Sequence, residues 1–265
     1  MQGLAAETQL GSFDPRPSFD IRDRVIIVTG ATRGLGAAMA EGLADCGGRV
    51  VVVGRSQADG DMVVDRITAR GGMAVAVSAD VAAQDGPGLI VEAAVSAFGG
   101  VDVLVNNAGI LRPKAVADLR RSDYREVHGV NAEAALFLCQ AALPHLRASG
   151  RGSVVNIVSV GLWTDGPNSV LYRSSKAALH AMTMVLAQEW GPYGIRVNAI
   201  APGFFAAGMG EDVPDERAAT ALGRTPLARS GQARELVPAV LYLASDASSY
   251  MTGETLRIDG GRVSI

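Results

Sequence analysis

The chain has 265 residues, 48% apolar and 19% charged, enough for a sizeable core in one large α/β domain or two small ones. The formal net charge of −3 gives no basis for nucleic-acid binding or a polybasic membrane patch. No apolar run is long enough to span a bilayer. In chain order, residues 1–18 contain Pro15 and Pro17 and lack apolar periodicity. They have neither the basic start and apolar segment of a secretory signal nor the Arg-rich character of a transit peptide. They are expected to form a flexible extension ahead of a single domain over 19–265.

Short β-branched runs then alternate with alanine-rich stretches. Strands are predicted at Val25–Val28, Val50–Val53, Ala74–Val77, Val103–Val105, Val154–Val158, Arg196–Ile200 and Thr255–Ile258. Most are continuous apolar runs, as expected of parallel strands buried on both faces. Helices are predicted at Ala37–Cys46, Leu89–Phe98, Ala132–Arg147, Leu171–Trp190 and Ala233–Leu243. This alternation implies a Rossmann-type, doubly wound α/β domain: a predominantly parallel seven-stranded sheet with helices on both faces.

The first strand runs into "TGATRGLG", Thr29 to Gly36, which opens a helix. Gly30 suits a tight turn, Gly34 allows a pyrophosphate to approach the backbone, and Gly36 allows the helix to pack closely on the strand. Thr32, Arg33 and Leu35 complete the turn, and the helix N-terminus offers free N–H groups and a positive dipole end to an anion. A carboxylate at the end of the second strand would bind ribose hydroxyls. Here that end reads Gly54, Arg55, Ser56. A guanidinium there can bind a 2′-phosphate that a carboxylate would repel, and Arg33 can add a second charge. NADP(H) is therefore expected over NAD(H), with a solvated surface arginine as the alternative for Arg55.

Cys46 and Cys139 have neither disulfide nor zinc spacing. Both are expected to be small packing residues in a reducing, cytoplasmic compartment. His128, His145 and His180 lack metal-ligand spacing, so no metal site is expected.

Several motifs fall in a specific order: "TGATRGLG", "NNAG" at Asn106–Gly109, Ser159, Tyr172-x-x-x-Lys176, and "APG" at Ala201–Gly203. From about Phe19 to Gly261 the chain resembles the short-chain dehydrogenase/reductase family. The resemblance implies that Asn107, Ala108 and Gly109 support the cofactor's ribose region and that Asp80 and Val81 lie near the adenine. Read alone, Asp80 would be a strand-end cap. It also implies that Pro202, Gly203 and Phe205 line the nicotinamide through backbone contacts. One position departs from the pattern: where many members carry a threonine, four residues beyond Gly203, this chain has Ala207.

Tyr172 and Lys176 stand four residues apart, so on a helix they share a face with Cβ atoms about 5–6 Å apart. At that distance an ammonium favours the phenolate by roughly 3 kcal/mol, enough to bring a tyrosine from about 10 to about 8 and into the range of acid/base work. The resemblance adds that Ser159 polarises a substrate carbonyl, that Lys176 also bonds the ribose together with Tyr172, and that Asn131 holds a water in a proton path. Candidate substrate walls are Leu111, Leu162, Trp163, Phe204 and Met209. They are mostly apolar, which favours an apolar or bulky ketone over a charged sugar acid. Trp163 could equally be a core or interface residue, and the Gly/Ala-rich segment 206–223 could be a lid.

The leading expectation is an NADP(H)-dependent oxidoreductase acting on a ketone or secondary alcohol, with Tyr172 as acid/base. Alternatives are a 3-oxoacyl-thioester reductase, with Arg112, Lys114, Arg120, Arg121 and Arg125 as a carrier-protein patch or simply a solvated face, an NAD-linked polyol or sugar dehydrogenase, and a non-catalytic dinucleotide-sensing regulator. By analogy with the family, pairing of the helices at 132–147 and 171–190 between subunits would give homotetramers or dimers.

Overall fold

The computed structural model describes residues 16–208 and 215–263. Seven parallel strands form one sheet in the order β3-β2-β1-β4-β5-β6-β7. They are β1 (Val25–Thr29), β2 (Arg49–Gly54), β3 (Met73–Ser78), β4 (Val103–Asn106), β5 (Ser153–Ile157), β6 (Arg196–Pro202) and β7 (Thr255–Ile258). The central strands β1, β4 and β5 are buried at every position, and alternate side chains feed opposite faces. Ile26, Val28, Val50 and Val52 pack with Met39, Leu43 and Val240 on one face. Val25, Ile27, Val51 and Val53 pack with Ile90, Leu138 and Trp190 on the other. The sheet therefore has two cores, and its strand order turns around between β1 and β4, where open α/β sheets bind ligands beyond their carboxyl ends.

The helices are α1 (Gly34–Asp45), α2 (Gln57–Thr68), α3 (Gly86–Phe98), α4 (Arg121–His128), α5 (Ala134–Ala148), α6 (Val170–Trp190), α7 (Asp215–Gly223) and α8 (Val237–Ala244). Three depart from sequence expectation by their existence. Helix α2 carries a mid-helix Gly60 and buries only Gly60, Val63 and Ile67. Helix α4, "RSDYREVH", buries only Val127. Helix α7 lies in the segment expected to be a lid. The predicted helix Ala233–Leu243 is a 3-10 turn, Ala233–Leu236, followed by α8, with Pro238 near the junction.

The predicted helix start at Ala132 is a π-turn, Gly129–Glu133, in which the Ala134 N–H donates to the Gly129 carbonyl. Such single π-turns redirect the side chains they carry, and this one carries Asn131, which is 1% exposed. Among the cysteines, Cys139 is buried, with its thiol pushed up to about 12 by desolvation. Cys46 is exposed, contrary to expectation, because α1 ends at Asp45 and the chain leaves the core through Gly47 at φ 90°. No described helix is long and apolar enough to cross a membrane. The expected extension, except Arg16 to Ser18, lies outside the described residues, as does Met209.

Candidate active site

A continuous cleft of about 340 Å³ runs along the carboxyl ends of the central strands. At one end is the turn from β1 into α1. Gly30 and Gly34 have φ of 61° and 57°, values that favour glycine. A Cβ at Gly36 would lie 2.1 Å from the Gly30 carbonyl oxygen and 2.5 Å from Asn107 Nδ2, so the helix can approach the strand only at a glycine. A Cβ at Gly34 would meet Gly208 Cα at 2.7 Å. The crowding at Gly34 thus comes from the segment at 205–208, which closes over the turn. The N-cap of α1 is Arg33 in extended backbone, with no side-chain cap. The first N–H groups of α1 therefore face the cleft without a capping carboxylate or hydroxyl.

Arg33, Arg55, Thr32 and Leu35 line this end of the cleft. Arg33 and Arg55 are exposed, and neither guanidinium is among the ion pairs of the described residues. Gly54 is where a carboxylate would stand, and a Cβ there would meet Thr32 Cγ2 at 2.3 Å; the Thr32 side chain occupies the space beside that position. Ser56 is set apart from the other predicted cofactor residues. Its hydroxyl accepts from the Asp59 N–H at 3.2 Å and caps α2, outside the cleft wall. Asp80 lines the cleft beside Val81 while its carboxylate caps the Ala82 N–H at 2.9 Å.

The middle of the cleft is braced across the sheet. Thr29 Oγ1 accepts from the N–H groups of Asn107 and Ala108, both at 3.0 Å, and Asn107 Nδ2 donates back to the Thr29 carbonyl at 2.8 Å. Beneath it, Asn106 donates to Asn156 and Asn156 to Thr183, each at 2.9 Å. Such a satisfied buried chain fixes the strand ends relative to α6. A Cβ on Gly109 would lie in ordinary contact, 3.4 Å from Asn131 Oδ1 and 3.5 Å from Lys176 Nζ, so Gly109 marks where these two side chains converge.

At the other end Ser159, Tyr172 and Lys176 share the cleft wall. Lys176 Nζ donates to the Ile157 carbonyl at 2.6 Å and lies 6.0 Å from the Tyr172 ring centroid. Burial lowers the Lys176 ammonium to about 8. The lowering of Tyr172 expected from the lysine is not found. Burial pushes the phenol up, against a hydrogen bond with Ser159 and the charge of Arg173. The cause is burial of the phenol, which outweighs both of these opposing influences. Asn131 accepts from the Ile110 N–H at 2.7 Å and donates to the Ile110 carbonyl at 3.0 Å and to Ser175 Oγ at 3.0 Å. The π-turn thus pins the irregular segment that follows Gly109.

Pro202, Gly203, Phe204 and Phe205 close the far wall. Gly203 has no room for a Cβ, which would lie 2.6 Å from Asp259 Cα, and Phe205 is 6% exposed, its ring against Gly231. Ala207 faces the cleft with no hydroxyl to offer. Three predicted substrate residues are not in this wall. Ile110, one position earlier, takes the place expected of Leu111. Leu162 packs on the cluster of Val158, Val160 and Leu179. Trp163 lines a separate depression and meets His180 edge-on at 5.9 Å. Val130, Ile157 and Val158 line the cleft without having been signalled by the sequence, because each is one more apolar residue beside a motif.

Arg173, between Tyr172 and Lys176, clamps the loop after β5. Its Nε donates to Ser169 Oγ at 2.7 Å, and its Nη1 donates to the carbonyls of Gly161, at 2.7 Å, and Thr164. Gly161 N–H in turn donates to Ser159 Oγ at 3.0 Å.

The family model described as enoyl-(acyl carrier protein) reductase matches residues 30–262. This chain belongs to the short-chain dehydrogenase/reductase family. An L-rhamnose 1-dehydrogenase (NAD(P)(+)) of Azotobacter vinelandii is 40% identical over 90% of this chain and 96% of its own. A 3-oxoacyl-[acyl-carrier-protein] reductase of Synechocystis is 39% identical over 91% of this chain and 97% of its own. A crystal structure from Beutenbergia cavernae, provisionally named an NAD(P)-dependent gluconate 5-dehydrogenase and holding NADP at low occupancy, matches with TM-score 0.86 and 38% identity, over 92% of this chain and 98% of that one. The chain is thus an oxidoreductase of this family with a nicotinamide cofactor. The glycine-walled turn, the uncapped start of α1 and the two exposed arginines fit such a dinucleotide.

Proposed function

We propose that the protein is an NADP(H)-dependent oxidoreductase that interconverts a ketone and a secondary alcohol. The observation that carries this reading is the meeting of Ser159, Tyr172 and Lys176 in one cleft wall, continuous with the glycine turn and its two exposed arginines. The turn at 30–36 would hold the pyrophosphate, Arg33 and Arg55 a 2′-phosphate, and Asp80 and Val81 the adenine. Asn107, Ala108, Gly109, Tyr172 and Lys176 would hold the nicotinamide ribose, and Pro202, Gly203 and Phe205 the nicotinamide. Bound there, the cofactor supplies or accepts a hydride.

The chain's own groups handle the proton. Tyr172, with its phenol raised by burial, is protonated at neutral pH and suits donation to a carbonyl oxygen that Ser159 holds. Lys176 stabilises the phenolate left behind, and Asn131 holds the adjoining backbone in place. Oxidation asks Tyr172 to begin as a phenolate, so its rate should climb with pH further into the alkaline range than the rate of reduction.

A sugar or polyol substrate is the second reading, favoured by the relative named for L-rhamnose. For a carrier-protein substrate the basic face offers less than its sequence suggests, since Arg112 pairs with Glu126 at 3.0 Å and Lys114 with Asp123 at 2.6 Å. For assembly we retain the homotetramer, supported by Phe137, Met184 and Val185, which are 46%, 44% and 55% exposed on α5 and α6. The test of function is a panel of ketones, sugars, alcohols and 3-oxoacyl thioesters with NADPH, NADH and their oxidised forms. Turnover with NADPH or NADP⁺ well above the NAD pair supports the reading; activity confined to the NAD pair contradicts it.

A further inference from the structure

The loop after Ser159 leads to a second depression. Trp163, Thr164 and Asp165 form one side, and Arg224 and Arg262 the other. Arg257 of β7 lies over the Trp163 ring at 5.7 Å, and Arg173 holds the loop from behind through the Gly161 and Thr164 carbonyls. Guanidinium groups thus reach this spot from α6, from the end of α7, from β7 and from the C-terminal turn.

The negative charge facing them comes from Asp259 and Asp165, neither of which holds a buried ion pair. Asp259 accepts the N–H groups of Gly261 at 2.9 Å and Val263 at 2.8 Å. Asp165 pairs with Arg224 at 3.2 Å, but the two side chains are 89% and 62% exposed, and such pairs are weak and readily exchanged. Arg257 and Arg262 have no ion pair among the described residues. Partial burial, with Arg224 and Arg173 nearby, lowers the pKa of Arg262 against the opposing charges of Asp259 and Asp165. An anion placed here would relieve that repulsion and gain charge-assisted, two-pronged hydrogen bonds.

We propose that Arg262 and Arg224 bind the carboxylate of the substrate, and that the substrate is a hydroxy acid or keto acid whose reacting carbon lies several bonds from its carboxylate. One short loop carries both ends: Ser159 at the reacting carbonyl, and Trp163 to Asp165 at the carboxylate. Arg173 ties the two parts of the loop together through the Gly161 and Thr164 carbonyls. Ser159 Oγ accepts from Gly161 N–H, and the Gly161 carbonyl accepts from Arg173. This assignment rests on the oxidoreductase reading and narrows its substrate, displacing the apolar ketone suggested by Leu162 and Leu111.

The test uses matched acidic and neutral compounds: D-gluconate against D-glucitol with NADP⁺, and keto acids against their methyl esters with NADPH. The native enzyme should favour the acid of a pair by at least about tenfold in kcat/KM. Arg262→Gln should lose about tenfold or more on the acid through KM, with little change on the neutral partner and none in NADPH affinity. Arg262→Lys should recover part of the loss, which separates charge from simple packing. A native preference for the neutral compounds, or equal losses on both members of a pair, overturns the carboxylate site and leaves the oxidoreductase reading standing. Absence of hydride transfer to every compound, with NADPH still bound, overturns both.

Discussion

The two ends of the cleft are built by different means. At the turn into α1, the shape is made by backbone, with glycines at 30, 34 and 36 where a Cβ would strike its surroundings. At the loop after β5, the shape is made by side chains that reach between distant segments, with Arg173 bonding Ser169, Gly161 and Thr164. A backbone cradle recognises what all dinucleotides share. A clamped loop can be reshaped by a few substitutions without disturbing the sheet, so it is the natural place for substrate choice.

Each end can be broken separately. Gly36→Val should do the most damage at the backbone end, because the added carbon meets the Gly30 carbonyl. NADPH affinity should fall roughly a hundredfold or more, read by fluorescence titration. The next effect lies where the two ends meet. Lys176 falls from 10.5 to about 8 on burial. Between those values the unfolded chain binds more protons than the folded one, so stability rises with pH through that window. Lys176→Met should abolish the rise, on the order of 3 kcal/mol, in urea unfolding curves followed from neutral to alkaline pH. Tyr172, raised by burial, acts oppositely at higher pH, so the rise should level off above about pH 10.

At the side-chain end, Arg173→Ala should cut kcat/KM by roughly tenfold to a hundredfold while leaving NADPH affinity unchanged, since the loop loosens and the turn at α1 does not. The smallest effect belongs to the exposed cation. Arg55→Ala should weaken NADPH by about tenfold and NADH hardly at all; an equal effect on both would remove Arg55 from the 2′-phosphate.

The same contrast explains what the sequence made legible. The strands were readable because a doubly buried strand is a continuous apolar run, and the turn because its three glycines fall within one short stretch between a strand and a helix. Tyr172 and Lys176 were readable because one helical turn links them. Helix α4 was not, since only Val127 of its residues is buried and no apolar face announces it. Ile110 was missed for Leu111 because the facing of an irregular segment has no period to read. Arg224, Arg257 and Arg262 could not be joined to Trp163, since only the sheet and the C-terminal turn bring them together. The direction of the Tyr172 shift was missed because spacing gives the distance to a charge and says nothing of burial.

The most direct test of the account measures two quantities on Tyr172→Phe: NADPH affinity, and the rate of hydride transfer to the best carbonyl substrate of the native enzyme. The account predicts affinity within about twofold of native and a rate lower by roughly a thousandfold. A variant that keeps near-native turnover would contradict it.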